Sequence, residues 1–185
     1  MVNPKSVIFT GHMIDLPDRP VPRFPPALER AAGDAIRKRL GATLARMPGD
    51  SMGFASAARG GDILFHEQAR DLGLRTAIVL PFAARTFEQT SIAGVPASDW
   101  VQRFWKLWEK TSEPDRFDLR LPRSNEAYAL CNAKIVELAA ARGPFHLIAL
   151  WDGRSGKRGG TADLVNKARA NEDQPDIIDP AVLWP

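Results

Sequence analysis

The chain holds one cysteine, Cys131, one tyrosine and three histidines in its 185 residues. A lone cysteine excludes an intrachain disulfide and makes a reducing, cytoplasmic setting the expectation. His12, His66, His146 and Cys131 are the only soft ligands, too few for a zinc site, so no metal is expected. No window approaches the roughly 18 consecutive apolar residues of a membrane span. Met1 to Lys5 is not followed by the apolar stretch of a signal peptide. Neither sign of charge dominates, with 25 Lys+Arg against 22 Asp+Glu and a net charge of +3. The acids and bases are interleaved, so the basic stripe of a nucleic-acid binder is missing. The one local excess is Arg154, Lys157 and Arg158, which suits a small anion better than a duplex.

What is present is an ordinary globular composition, 44% apolar and 25% charged. Residues 1–185 suffice for one domain with one buried core. Apolar runs alternate with helical periods along the chain. Strands are expected at Ser6–Thr10, Ser51–Ala55, Leu74–Leu80, Phe117–Leu119, Phe145–Trp151 and Asp176–Asp179. Helices are expected at Leu28–Met47, Asp62–Gly73, Ser98–Lys110, Ser124–Arg142 and Thr161–Ala170. Gly143-Pro144 is a standard stop for the fourth helix.

Such alternation predicts an α/β, Rossmann-like, doubly wound and mostly parallel sheet of five or six strands, with helices on both faces. The strand-to-helix connections are long, about 17 residues after Thr10, about 17 after Leu80 and about nine after Trp151, against about 2–6 in ordinary units. Extra chain therefore gathers at the carboxyl edge of the sheet, where ligands of such folds bind.

Three segments at that edge carry candidate chemistry. Thr10-Gly11-His12 follows the first strand, where an imidazole could donate to a phosphate or move a proton. Ser56, Arg59, Gly60, Gly61 and Asp62 lie between the second strand and its helix, where small residues expose backbone N–H groups to an anion. The stretch from Gly153 to Thr161 gathers glycines, a hydroxyl and three cations before the last helix. That is a phosphate-cradle composition centred on Gly159, Gly160 and Thr161. Pro81 and Asp152 end the third and fifth strands at the same edge. Each segment also has a plainer reading, as a loop histidine, a close-packed turn and a solvated loop.

Several patterns fall short. His66-Glu67-Gln68-Ala69-Arg70 has Arg70 where a zincin helix needs its second histidine. Gly53-Phe54-Ala55-Ser56-Ala57 lacks the second glycine of a nucleophile elbow. Gly156-Lys157-Arg158 is not a Walker A ending, and no dinucleotide fingerprint occurs. Cys131 sits among apolar neighbours and reads as packed. The aromatic helix with Trp100, Phe104, Trp105 and Trp108 reads as core, with a homo-oligomer interface through Trp100–Trp108 as the alternative.

Phe9-Thr10-Gly11-His12, Gly53 through Ala69, and Gly159-Gly160-Thr161-Ala162-Asp163, in this order and spacing, resemble the SLOG superfamily. This Rossmann-like group includes DNA-processing protein A and the LOG-type phosphoribohydrolases, often called lysine-decarboxylase-like. Val79 to Phe82 and Phe87 to Ser91 look like segments of bacterial SLOG-like sensor modules. The resemblance implies a site for a nucleotide or nucleotide-derived small molecule, with no further cofactor. LOG enzymes carry a glutamate after their Gly-Gly-x-Gly-Thr run. Here Asp163 stands one residue early, a rotation of about 100° on a helix. Binding or sensing of the ligand is the first expectation. An N-glycosidic or phosphoribosyl hydrolase, with Glu67, Glu88 or Asp163 as its carboxylate, is the alternative. An interaction module without catalysis is the third.

Overall fold

The computed structural model describes residues 3–169 and 175–184. Six strands form one sheet: β1 (Ser6–Gly11), β2 (Met52–Ala55), β3 (Arg75–Leu80), β4 (Arg116–Asp118), β5 (Phe145–Leu150) and β6 (Asp176–Ile178). Every pairing is parallel, in the order β4-β3-β2-β1-β5-β6. The helices are α1 (Glu29–Leu44), α2 (Gly61–Asp71), α3 (Ala84–Phe87), α4 (Trp100–Lys110), α5 (Asn125–Ala140) and α6 (Thr161–Arg169). This is the expected Rossmann-like α/β architecture, with boundaries a residue or two inside most of the expected ones. The final residue of the expected last helix, Ala170, lies outside the described residues.

Alternation along the strands builds the two faces. Val7, Phe9, Ile78, Leu80, Ile148 and Leu150 pack with Ile36 and Leu40 of α1, Ile63 and Phe65 of α2, and Phe104 of α4. Ile8, Phe54, Val79, Leu147 and Ala149 face the other way, onto Cys131 and Ile135 of α5 and Leu164 and Val165 of α6. Phe9 and Phe65 stack with ring centroids 4.9 Å apart. Each such buried ring contributes about 1.5–3 kcal/mol through apolar burial. Trp100 and Phe104 are buried, and Trp105 and Trp108 pack against the same core under Arg85 and Arg116.

One connection differs from expectation. The stretch after Leu80 is not a 17-residue loop, because α3 runs into a wide helical turn at Glu88–Ile92. Phe87 and Ile92 anchor it, buried in the core. Two large apolar side chains in nine residues give no readable period, and packing decides the conformation.

The chain builds β1, β2, β3 and β4 outward in one direction. It then returns to place β5 on the other side of β1. The topological switch point therefore lies between the carboxyl ends of β1 and β5, above Gly11 and Leu150, which pair across the sheet.

Candidate functional site

At that switch point opens a cavity of about 610 Å³. The β1 exit lines it from Thr10 to Leu16, with Arg19 and Arg23 from the loop beyond. Ser56, Arg59 and Asp62 contribute from the β2–α2 turn, Tyr128, Cys131 and Asn132 from α5, and Lys157 to Ala162 (without Arg158) from the approach to α6. The volume suits a ligand of nucleotide size.

Backbone contact zips two of these loops together. Gly61 N–H donates to the His12 carbonyl at 3.0 Å and Ile14 N–H to the Arg59 carbonyl at 3.2 Å. Gly60 sits between them at φ +97°, where a Cβ would stand 2.6 Å from the Ile14 nitrogen. Only glycine meets both demands. Gly159 plays the same part on the far wall. Its φ is +83°, and a Cβ there would overlap Tyr128 and stand 2.8 Å from the Ala129 nitrogen. The α6 approach is thereby laid directly on α5.

His12 is buried and forms a closed network with Asp152 and Arg23. Its Nε2 lies 3.0 Å from Asp152 Oδ1, and its Nδ1 is 3.1 Å from Arg23 Nη2. Arg23 Nε donates to Asp152 Oδ2 at 3.3 Å. The Asp152 backbone N–H also reaches Nε2, at 3.2 Å, so the imidazole is tied to Asp152 through both its carboxylate and its backbone. Burial and the neighbouring Arg23 hold the His12 pKa below its ordinary value, with Asp152 pulling the other way. Burial pushes the Asp152 carboxyl up, but the Arg154 N–H, His12 and Arg23 outweigh it and hold it low. Asp15 shapes the loop that brings Arg23 here. Its Oδ2 accepts the Arg23 and Phe24 N–H groups at 2.7 and 2.8 Å.

Asp62, in the first turn of α2, accepts the Gly11 N–H on Oδ1 at 3.1 Å and the Ala58 N–H on Oδ2 at 3.2 Å. Burial pushes its pKa up to about 7, against the pull of those two N–H groups. Among the described residues no cation pairs with it. His66, one turn along α2, is structural. Its ring nitrogens lie 2.9 Å from Thr76 Oγ1 and 2.7 Å from the Ser56 carbonyl, and burial lowers its pKa to about 4. Cys131 is packed, as expected. Its thiol donates to the Val79 carbonyl at 3.3 Å, and burial pushes its pKa up.

The structure brings Thr10, Gly11, His12, Ser56, Arg59, Asp62, Gly159, Gly160 and Thr161 to one cavity wall or another. Gly60 and Gly61 support the wall from behind, and Asp152 reaches it through His12. Arg59 is buried, with Nε on the Ile14 carbonyl at 3.2 Å and Nη1 on the Ala93 carbonyl at 3.3 Å. Burial holds its pKa below the ordinary value. Pro81 stands outside the lining, its carbonyl accepting the Leu121 N–H. Of the three clustered cations only Lys157 lines the cavity; Arg158 pairs with Glu126 at 2.9 Å, and Arg154 is exposed, with its backbone N–H on Asp152 Oδ1 at 3.1 Å. The Gly160 N–H is not free for a phosphate, since it donates to the Lys157 carbonyl at 3.0 Å. The first free amides are those of Thr161 and Ala162, for which the described residues offer no acceptor.

The three carboxylates considered for cleavage chemistry stand outside the lining. Glu67 lies across α2, gripped by Arg103 at 2.9 and 2.6 Å. Glu88 accepts Trp105 Nε1 at 2.8 Å. Asp163 accepts Asn132 Nδ2 at 2.9 Å and Lys167 Nζ at 2.6 Å. Arg19, Arg23, Tyr128 and Asn132 were not legible as site residues. The one signal that could have found Arg23 is its place in the long loop after the first strand. No group of three or more metal-ligating side chains occurs among the described residues. No helix there is long and apolar enough to cross a membrane.

No family model and no curated protein matches the chain. Among solved structures it is similar to the X-ray structure of TM1055, a structural-genomics target, at 15% identity and a TM-score of 0.48. That match spans 90% of this chain and 69% of the other. It is also similar to the X-ray structure of DNA processing protein A from Streptococcus pneumoniae, at 10% identity and a TM-score of 0.39. That match spans 95% of this chain and 58% of the other. The strand order, and neither score, carries the assignment of a Rossmann-like α/β fold.

Proposed function

We propose that the switch-point cavity binds a nucleotide or nucleotide-derived small molecule, with a phosphate at the start of α6. One observation carries this reading. The Thr161 and Ala162 amides have no acceptor among the described residues, and both residues line one cavity of nucleotide size together with Lys157. The amides and the helix dipole both favour an anion there. Lys157 has no carboxylate partner among the described residues, so its charge is available to a ligand. The lining also offers the half-buried Tyr128 as aromatic surface for the uncharged part of the ligand. A single buried cysteine supports the cytoplasmic setting included in this reading.

Binding is preferred to cleavage on the placement of the carboxylates. Glu67, Glu88 and Asp163 each already accept a hydrogen bond or ion pair outside the lining. A partner-docking role is disfavoured by the inward packing of the Trp100–Trp108 aromatics.

The test is a thermal-shift panel of AMP, ADP, NAD, ADP-ribose and cyclic nucleotides. A ligand at 100 times its Kd adds about 2.7 kcal/mol, which for a chain of this size is roughly 5–10 °C in Tm. A panel in which no phosphate-bearing compound raises Tm at millimolar concentration contradicts the reading.

A further inference from the structure

The cavity contains three carboxylates of its own, Asp15, Asp18 and Asp62. Asp15 is consumed by the loop it shapes, with two N–H groups on Oδ2 and Arg19 Nε 3.1 Å from Oδ1. Asp18 is exposed at the rim. Asp62 differs from both. It is buried and has no ion pair among the described residues, and a different backbone N–H holds each of its oxygens. Those bonds join the exits of β1 and β2, so the carboxylate is held rigidly where the two loops meet. Each carboxylate oxygen has two acceptor positions, and the backbone takes one on each. Among the described residues nothing fills the second position on either oxygen, and Asp62 lines the cavity.

A buried anion with two spare acceptor positions selects for a ligand that brings hydrogen-bond donors to it. Two adjacent hydroxyls match two adjacent carboxylate oxygens, and a second phosphate is repelled. The surrounding groups do not supply these donors. Arg59 is turned to the Ile14 and Ala93 carbonyls, His12 to Asp152, His66 to Thr76 and Ser56, and Cys131 to Val79. Resting on the reading of the cavity as a nucleotide site, we infer that Asp62 is the specificity-determining acceptor for the vicinal hydroxyls of a ribosyl group, so that the cavity prefers ribosyl phosphates to their deoxy counterparts. The phosphate is held at Lys157 and α6, and the diol at the start of α2. The pKa of about 7 is consistent with this role, because a hydroxyl donor relieves the desolvation that raises it.

The experiment compares AMP with 2′,3′-dideoxy-AMP by titration calorimetry at pH 8, on the wild type and on Asp62→Asn. The two probes share base and phosphate, so their ratio isolates the hydroxyls. The wild type is expected to hold AMP about tenfold or more tighter, the effect of losing hydrogen bonds to a charged acceptor. In Asp62→Asn that ratio is expected to fall toward one. Equal affinities on the wild type overturn this inference and leave the nucleotide reading standing. Binding of neither probe up to millimolar concentration overturns both. A preference for AMP that persists undiminished in folded Asp62→Asn also overturns the inference. Should the variant fail to fold, the side-chain carboxyl ¹³C resonance of Asp62 in the wild type decides the question instead. It is expected to move with AMP and stay still with the dideoxy compound, and equal movement with both counts against the assignment.

Discussion

Two polar clusters occupy opposite sides of α2, and they differ in what they leave undone. On the outer side Arg103 is saturated. It reaches Glu67 at 2.6 Å, Glu29 at 2.6 Å and Asp99 at 3.5 Å, and its guanidinium lies 4.0 Å over the Trp100 ring. Every strong charge there has its partner inside the protein, so the cluster clamps α1, α2 and α4 and offers nothing to a ligand. On the inner side, Asp62, Lys157 and the first amides of α6 are only partly engaged, and they face a cavity. The same residue types therefore make scaffold in one place and a site in the other. What separates them is whether protein groups fill the hydrogen-bonding capacity.

Breaking the saturated cluster is expected to have the largest effect. Arg103→Ala leaves Glu29 and Glu67 close together and half-buried without their cation, a loss of about 2–4 kcal/mol. Chemical denaturation is expected to show that loss, while AMP affinity stays within about twofold of wild type. Gly159→Ala comes next. It demands a left-handed φ and pushes a methyl into Tyr128 and the Ala129 backbone, a cost of about 1–3 kcal/mol that also displaces the start of α6. Both the unfolding midpoint and AMP affinity are expected to fall. Gly160→Ala, one residue on and without the positive φ, is expected to be milder on both counts. Lys157→Ala sharpens the contrast from the other side. It is expected to cost about tenfold in AMP affinity with no change in the unfolding midpoint, since its side chain is exposed and pairs with nothing among the described residues.

The smallest expected effect is on pH dependence. Asp62 and His66 lie one turn apart on α2 and titrate with opposite signs. Burial lifts Asp62 to about 7, so its contribution to stability is full below its ordinary 3.8 and lost as pH rises through 7. Burial lowers His66 to about 4, so its contribution is full above 6.5 and lost as pH falls through 4. Between these limits the two offset each other in the wild type. Asp62→Asn removes one side of the balance, and its denaturation midpoint is expected to fall more steeply on acidification from pH 6.5 to 4. A profile parallel to wild type would show that Asp62 is not raised.

Much of the fold was legible because strands such as Val7–Phe9 and Leu147–Leu150 are apolar runs bounded by turn residues. The long loop after β1 pointed to the edge where the cavity opens. The helical turn at Glu88–Ile92 was not legible, since its conformation comes from burying Phe87 and Ile92. The Gly11, Gly60 and Gly159 positions were readable as punctuation, but what each glycine makes room for was not. Arg23 meets Asp152 across 129 residues of chain, and no local pattern encodes such a meeting. Glu67 illustrates the reverse. It stood near the expected edge, but its position on α2 turns it toward Arg103 and away from the ligand side.

The central claim is that an anion binds where α6 begins, inside the switch-point cavity. An amide ¹H–¹⁵N shift map during titration with AMP tests it most directly. The account predicts that the amides of Lys157, Thr161 and Ala162 move most, with Gly11 and Ala58 following, while Arg30, Gln68 and the Arg103 side chain stay still. Movement centred on Arg103 and the α1–α2 groove, with Thr161 and Ala162 unmoved, would contradict it.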